Sequence, residues 1–300
     1  MSEFQDIRQS DGWAKYLQAV GWRTVRTPGG VLMAVKKVLS FGLIKIQKPR
    51  NITDKDLQEI EEIAKRERYF LVKLEPFVGQ DENVLIRGGY SKSNTPLSVP
   101  STMIIDLSKT EEELWGKLSH SAKYSIHRAQ REGCSVRFYE NPTEDAFKNF
   151  YELFAQTAKR QKFYKLPYEE ALSRARAFGR KSYLVMAYDN AGKFSSGKLF
   201  LGSGKMVLYS LGGTAEDARK TKIGYEMLWK AILYLKGLGY EVLDLEGVDD
   251  KRFPFFTNRW GGFTHFKEKF GGLIVRFPPP YVKFSNKLVS KLNKISPMPL

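Results

Sequence analysis

From Gly224 to Leu238 the chain is apolar at almost every position. Tyr225, Met227, Leu228, Trp229, Ala231, Ile232, Tyr234 and Leu235 leave a thin polar line through Glu226 and Lys230, a favourable i,i+4 pair. The pattern predicts a helix buried on most sides, stopped at Gly239, with Tyr240–Leu245 returning as a strand. Upstream, alternating apolar positions predict strands over Ser182–Asp189, Lys193–Gly202 and Met206–Gly212. Nearer the start the same order occurs: strands over Trp22–Thr27, Gly30–Val38 and Gly42–Lys48, a helix capped by Thr53 and running to Arg66, then a strand over Tyr69–Glu75.

The intervening chain reads as follows. Asp11–Val20 is helical, and Pro76–Pro100 is loop around a strand at Val84–Arg87. Ser101–Leu107 is a strand, and Ser108-Lys-Thr-Glu111 is a capping box that opens a helix to about Leu118. Ser121–Glu132 is a second helix, and Cys134–Tyr139 a strand. Asn141, Pro142 and Glu144 together predict a helix to about Gln161 with Phe147, Phe150, Tyr151 and Phe154 buried, and Tyr168–Phe178 is helical. Three strands, a helix and a strand, seen twice, predict an α+β protein of two similar halves, residues 1–139 and 140–300. That order is also the core of the acetyltransferase (GNAT) fold, so two tandem GNAT-like domains are expected.

One lysine stands out. If Phe263–Phe270 is helical, Phe263, Phe266 and Phe270 share a face and Lys267 sits at its flank. A lysine beside three phenylalanines needs either a snorkelling route to water or an anionic partner, because an unpaired buried ammonium is very costly. The spacing leaves both readings open.

Lys and Arg total 49 against 33 Asp and Glu, a net charge of +16 and a pI near 9.6, so the surface should attract polyanions: nucleic acid, anionic headgroups or phosphorylated substrates. On Ser121–Glu132, Lys123, His127 and Arg131 fall on one face with Arg128 beside them, suited to phosphates or to a solvated surface. A single cysteine, Cys134, excludes a disulfide framework and any multi-cysteine metal site, and no metal-ligand or His-Asp-Ser constellation surrounds His127. The amino terminus shows no basic and apolar leader, and no run approaches the length of a membrane span, since Val31–Ile46 is broken by Lys36, Lys37 and Gly42. A cytoplasmic protein is expected, with peripheral membrane contact left open.

Six segments resemble, in order, the motifs of the Fem aminoacyltransferases. They are Tyr124-Ser-Ile-His-Arg-Ala-Gln-Arg-Glu-Gly-Cys-Ser-Val136, Thr157-Ala-Lys-Arg-Gln-Lys-Phe163, Tyr209-Ser-Leu-Gly-Gly213, Leu228-Trp-Lys-Ala-Ile232, Gly239-Tyr-Glu-Val-Leu-Asp-Leu-Glu-Gly-Val248 and Phe266-Lys-Glu-Lys-Phe-Gly-Gly272. The resemblance implies a twin GNAT-like fold and transfer of an amino acid from aminoacyl-tRNA to the peptide of a peptidoglycan precursor, lipid-linked or UDP-linked, by a monomer needing no further cofactor. Phe266 and Lys267 resemble the family's Phe-Lys pair, whose lysine stabilises negative charge during transfer, and Tyr209 a tyrosine facing the site. Tyr168 resembles a tyrosine near the precursor, and Lys165 stands where the family often has a phosphate-binding arginine, which loses bidentate geometry. Asp244 and Glu246, two apart on a strand, point to one side and suit the incoming amine or a base. Alternatively they are strand-end carboxylates paired with neighbouring cations.

Before the central helix, a coenzyme-A enzyme of this fold carries a glycine-rich turn whose backbone amides cradle pyrophosphate. Arg219-Lys-Thr-Lys-Ile-Gly-Tyr225 has one glycine, with bulky Ile223 and Tyr225 around it. That argues against acyl-CoA, while Arg219, Lys220 and Lys222 suit a tRNA end, as Lys123, Arg128 and Arg131 do. The alternatives are an acyl-CoA-dependent N-acyltransferase and a non-catalytic RNA-binding protein.

Overall fold

The computed structural model describes residues 4–38 and 41–286. The chain divides into two compact units. One comprises chiefly Gln5–Ser101 with Asp250–Asn258 and the segment from Val275 onward, and the other Thr102–Asp249 with Arg259–Ile274.

The first unit opens with α1 (Asp11–Ala19), capped by Ser10, and the antiparallel strands β1 (Arg23–Arg26), β2 (Leu32–Val38) and β3 (Phe41–Gln47). In α2 (Asp54–Arg66) the Thr53 hydroxyl accepts from the Asp56 amide while the Asp56 carboxylate accepts from the Thr53 amide, so the expected capping box forms. α2 crosses to β4 (Tyr69–Glu75), which lies parallel to β3. Then come α3 (Glu82–Arg87) and β5 (Ser91–Lys92), and β13 (Tyr281–Phe284) inserts between β4 and β5. Ile44, Ile46, Ile60, Val72 and Leu74 fill the core between sheet and helix. Val84–Arg87 is therefore helical rather than a strand, because Asp81 accepts from the Asn83 amide and caps it.

The second unit starts with β6 (Ser101–Asp106), α4 (Glu111–Lys117), α5 (His120–Arg131) and β7 (Ser135–Glu140). It continues through α6 (Glu144–Gln161), α7 (Tyr168–Phe178), β8 (Ser182–Tyr188), β9 (Phe194–Ser203), β10 (Met206–Thr214), α8 (Ile223–Gly237) and β11 (Val242–Gly247). The short α9 (Pro254–Thr257) belongs to the first unit, and α10 (Gly261–Glu268) and β12 (Leu273–Arg276) follow. The seven-stranded order is β12-β6-β11-β10-β9-β8-β7, antiparallel along β7 to β10, with β10 and β11 parallel. α8 and α5 cover one face, where Met227, Leu228 and Ile232 pack with Phe200 and Ile126. α6 covers the other so closely that a Cβ at Gly213 would lie 2.9 Å from the Phe154 backbone.

Both units thus share a meander, a helix and a parallel returning strand, and the fold is α+β with two GNAT-like halves. The division falls at Ser101/Thr102 rather than at Tyr139. β6 pairs with β11 and β7 with β8, which draws 102–139 into the second unit, while β13 returns late to β4 of the first. Two helix starts also move by two residues. Thr110 with Glu113, not Ser108 with Glu111, forms the capping box of α4, and Thr143, not Asn141, caps α6. In each case a nearer hydroxyl reaches the amide three residues on.

Candidate active site

β10 and β11 are hydrogen-bonded only over Met206–Leu208 against Val242–Asp244, although β10 continues to Thr214 and β11 to Gly247. Each strand becomes irregular where the ladder stops, β10 between Tyr209 and Leu211 and β11 between Asp244 and Gly247. Bulges of this kind re-aim side chains. The backbone irregularities gather Tyr209, Asp244 and Glu246 near α10, which supplies Phe263, Phe266 and Lys267.

Lys267 does not snorkel. It is 6% exposed, and its ammonium donates to the carbonyls of Gly247 at 2.6 Å and Glu246 at 3.2 Å. It also lies 4.9 Å from the Phe263 ring centroid and 5.9 Å from that of Tyr209. Burial pushes its pKa down to about 8, opposed by the carboxylates of Glu246 and Asp244. Two of its three N–H donors go to carbonyls, so one is uncommitted among the described residues. Phe266 packs on Tyr225 at 4.9 Å and Phe270 at 5.3 Å and so walls the site with aromatic surface. The Phe stripe continues as expected, but α10 itself ends at Glu268, with Phe270 just beyond it.

Glu246 adopts φ 61°, so the regular alternation of β11 ends there, and both the Asp244 and the Glu246 carboxylates act on Lys267. Asp244 is 1% exposed and accepts hydrogen bonds from the Glu246 amide at 2.6 Å and from the Thr102 hydroxyl. Its hydrogen bonds hold the end of β11 in the shape that presents the Glu246 and Gly247 carbonyls to Lys267.

Tyr209 is half-buried with its hydroxyl pKa pushed up by burial, and its ring lies 5.4 Å from Phe200. A Cβ at Gly212 would come within 1.9 Å of the Tyr209 oxygen, so the ring lies over a position that only glycine leaves open. Beside that ring is a residue not anticipated from the sequence. Lys198 of β9 is 4% exposed, its ammonium 5.4 Å from the Tyr209 centroid and 5.5 Å from that of Phe266. The signal was present, since Lys198 falls in phase with inward-facing Phe200 in a strand otherwise small or apolar.

Other expected residues lie elsewhere. Lys165 is exposed and lines an open concavity of about 630 Å³ with Lys159, Lys162 and Phe163. Tyr168 packs on Phe147 and Tyr151, and neither it nor Lys165 touches the Lys267 group. Lys123 lies over Trp115, Arg128 pairs with Glu132 at 2.7 Å, and Arg131 is exposed. Lys220 is exposed and Lys222 half-buried with φ 61° at the start of α8, while the side chain of Arg219 lies outside the described residues. Ile223 is buried and Tyr225 turns to the α10 aromatics, so both bulky groups face inward rather than across the turn. Cys134, half-buried, has its thiol pKa pushed up to about 12 by burial. Among the described residues no cluster could hold a metal, and no helix is long and apolar enough to cross a membrane.

Residues 88–196 match the model of the FemAB family. No curated protein matches the chain significantly. Among solved structures, the crystal structure of FemX superposes with a TM-score of 0.81 at 16% identity, covering 96% of this chain and 94% of that one. The C-terminal DUF2156 domain of a putative lysylphosphatidylglycerol synthetase from Agrobacterium fabrum gives 0.64 at 14% identity, covering 96% and 92%. A tandem GNAT protein from the clavulanic acid biosynthesis pathway gives 0.52 at 12% identity, covering 85% and 79%.

Proposed function

We propose that this chain, whose family match and fold support a Fem-family member with a GNAT-like fold, is a transferase that moves an aminoacyl group to an amine of a peptidoglycan precursor, with aminoacyl-tRNA as donor. The observation that carries the reading is Lys267: a buried ammonium, fixed by two carbonyls at the parting of β10 and β11, with a donor to spare.

Attack of an amine on an aminoacyl ester places negative charge on the carbonyl oxygen. An ammonium already desolvated and anchored stabilises that charge more than a solvated one, because little dielectric screening intervenes and no reorganisation is needed at the moment of reaction. Asp244 and Glu246 favour the charged form of Lys267 against the cost of its burial. Tyr209 and Phe266 line the site and exclude water. The basic residues of α5 and of the turn before α8 supply phosphate contacts for the donor, and Lys165 with its neighbouring lysines supplies them for the precursor. A soluble-type fold acting on the cytoplasmic side of the membrane fits both substrates.

The test is incubation of the purified protein with a pool of charged tRNA and lipid-linked or UDP-linked precursors, read by mass spectrometry. Growth of a precursor by the mass of an amino-acid residue is expected, and it should disappear after ribonuclease treatment of the donor. Precursors that stay unmodified with every charged tRNA would overturn the proposal.

A further inference from the structure

Lys198 lies inside the seven-stranded sheet, its Cα opposite Gly212 of β10 and Val185 of β8. Its ammonium faces the rings of Tyr209 and Phe266 and, among the described residues, makes no hydrogen bond or ion pair. Two ring faces compensate a buried cation only weakly, by about 2 kcal/mol when desolvated, so the neutral amine is favoured.

The groups around it sharpen the contrast with Lys267. β10 contributes Tyr209, whose phenol burial keeps neutral, and β8 contributes apolar Val185. α10 contributes Phe266 and Lys267, β11 contributes Asp244 and Glu246, which act on Lys267, and Glu226 of α8 is engaged by Lys230 and Gln130. Lys267 has carbonyl acceptors and two carboxylates, and Lys198 has neither. Burial first, and the charge of Lys267 second, push the Lys198 pKa down to about 7. Of two lysines flanking one tyrosine ring, Lys267 is built to hold its proton and Lys198 to lack one.

We propose that Lys198 is the proton acceptor of the transfer reaction, placed beside the same Tyr209 ring as the charge-stabilising Lys267. The inference rests on the transferase reading above. In the step, the acceptor nitrogen bonds to the ester carbonyl carbon and its proton passes to the free amine of Lys198. The carbon–oxygen bond to the terminal ribose of the donor then breaks, and the departing oxygen takes that proton back from Lys198. No other co-reactant is needed.

The test compares wild type with Lys198→Met, which keeps the side-chain length and removes the amine. Transfer of an amino acid from charged tRNA to precursor should fall by roughly 100-fold or more, the usual contribution of a general base. The wild-type rate should rise with pH through about 7, and the variant should lack that limb. A substrate-free readout accompanies it. Because folding lowers the lysine's pKa, its destabilising effect is complete below the folded value and vanishes as pH rises to the unfolded one. Lys198→Met should therefore raise Tm by about a few degrees at pH 7, a gain that shrinks as the pH is raised toward 10.5.

A silent wild-type protein would overturn the transferase reading and the proton-acceptor role with it. An active wild type beside a Lys198→Met variant within a factor of about three would overturn the role of Lys198 alone. So would a rate that falls through pH 7 in the wild type, the signature of a lysine needed as a cation, or a thermal gain independent of pH.

Discussion

At the scale of single residues, position decides what a lysine does. Lys267 and Lys269 are two apart on the same short segment, yet Lys267 is buried on two carbonyls whereas Lys269 is half-buried with its ammonium over the Tyr225 ring at 5.8 Å. Lys267→Ala should lower transfer by roughly 100- to 1000-fold, the cost of losing one oxyanion-stabilising group. Lys269→Ala should leave turnover near the wild-type value, and steady-state transfer rates of the two variants check both. Equal losses in the pair would mean that net charge, not placement, matters. Lys267 was legible in the sequence because three phenylalanines at helical spacing frame it. Its escape from snorkelling was not, because the two carbonyls that hold it come from β11, some twenty residues away. Lys198 was missed for a related reason: in a strand every second residue faces one side, and a lone lysine reads as the solvent side until a second layer covers it.

At the scale of elements, the site exists because two parallel strands part. Gly212 belongs to that geometry: a methyl there would meet the hydroxyl end of Tyr209, a flexible group that can swing away. Gly212→Ala should therefore fold with little loss of Tm yet reduce transfer by about tenfold or more, equivalent to roughly 1.4 kcal/mol at the transition state. At Gly213 the added methyl meets the backbone of Leu153 and Phe154 instead, which cannot swing, so Gly213→Ala should lower Tm markedly. Differential scanning and transfer assays on the two variants separate site geometry from packing; a Gly212→Ala enzyme with full activity would remove Tyr209 from the site. Helices and strands were largely readable from periodicity, and α6 and α8 follow their apolar stripes closely. Exact starts were not, since several adjacent hydroxyls and carboxylates compete to cap one helix, and Val84–Arg87 shows an apolar run too short to tell strand from helix without its Asp81 cap.

At the scale of the whole molecule, local signals ran out where strands pair across long separations. The repeated order of three strands, helix and strand revealed two halves, but nothing near residue 101 or 281 announces that β6 joins β11 or that β13 returns to β4. The net charge of +16 is legible at once and sets a prediction of its own. If the protein neutralises about four to six phosphates of tRNA, affinity should fall by roughly tenfold or more between 50 and 200 mM salt. A titration by filter binding checks it, and a flat response would remove the nucleic-acid backbone from the interaction. The turn at 219–225, with a single glycine, is the place that separates aminoacyl-tRNA from acyl-CoA as the expected donor. The most direct measurement offers one precursor to the protein with two labelled donors, aminoacyl-tRNA and acetyl-CoA, each with and without ribonuclease. Label on the precursor is expected from aminoacyl-tRNA alone, abolished by ribonuclease. Label from acetyl-CoA that ribonuclease leaves untouched would contradict it.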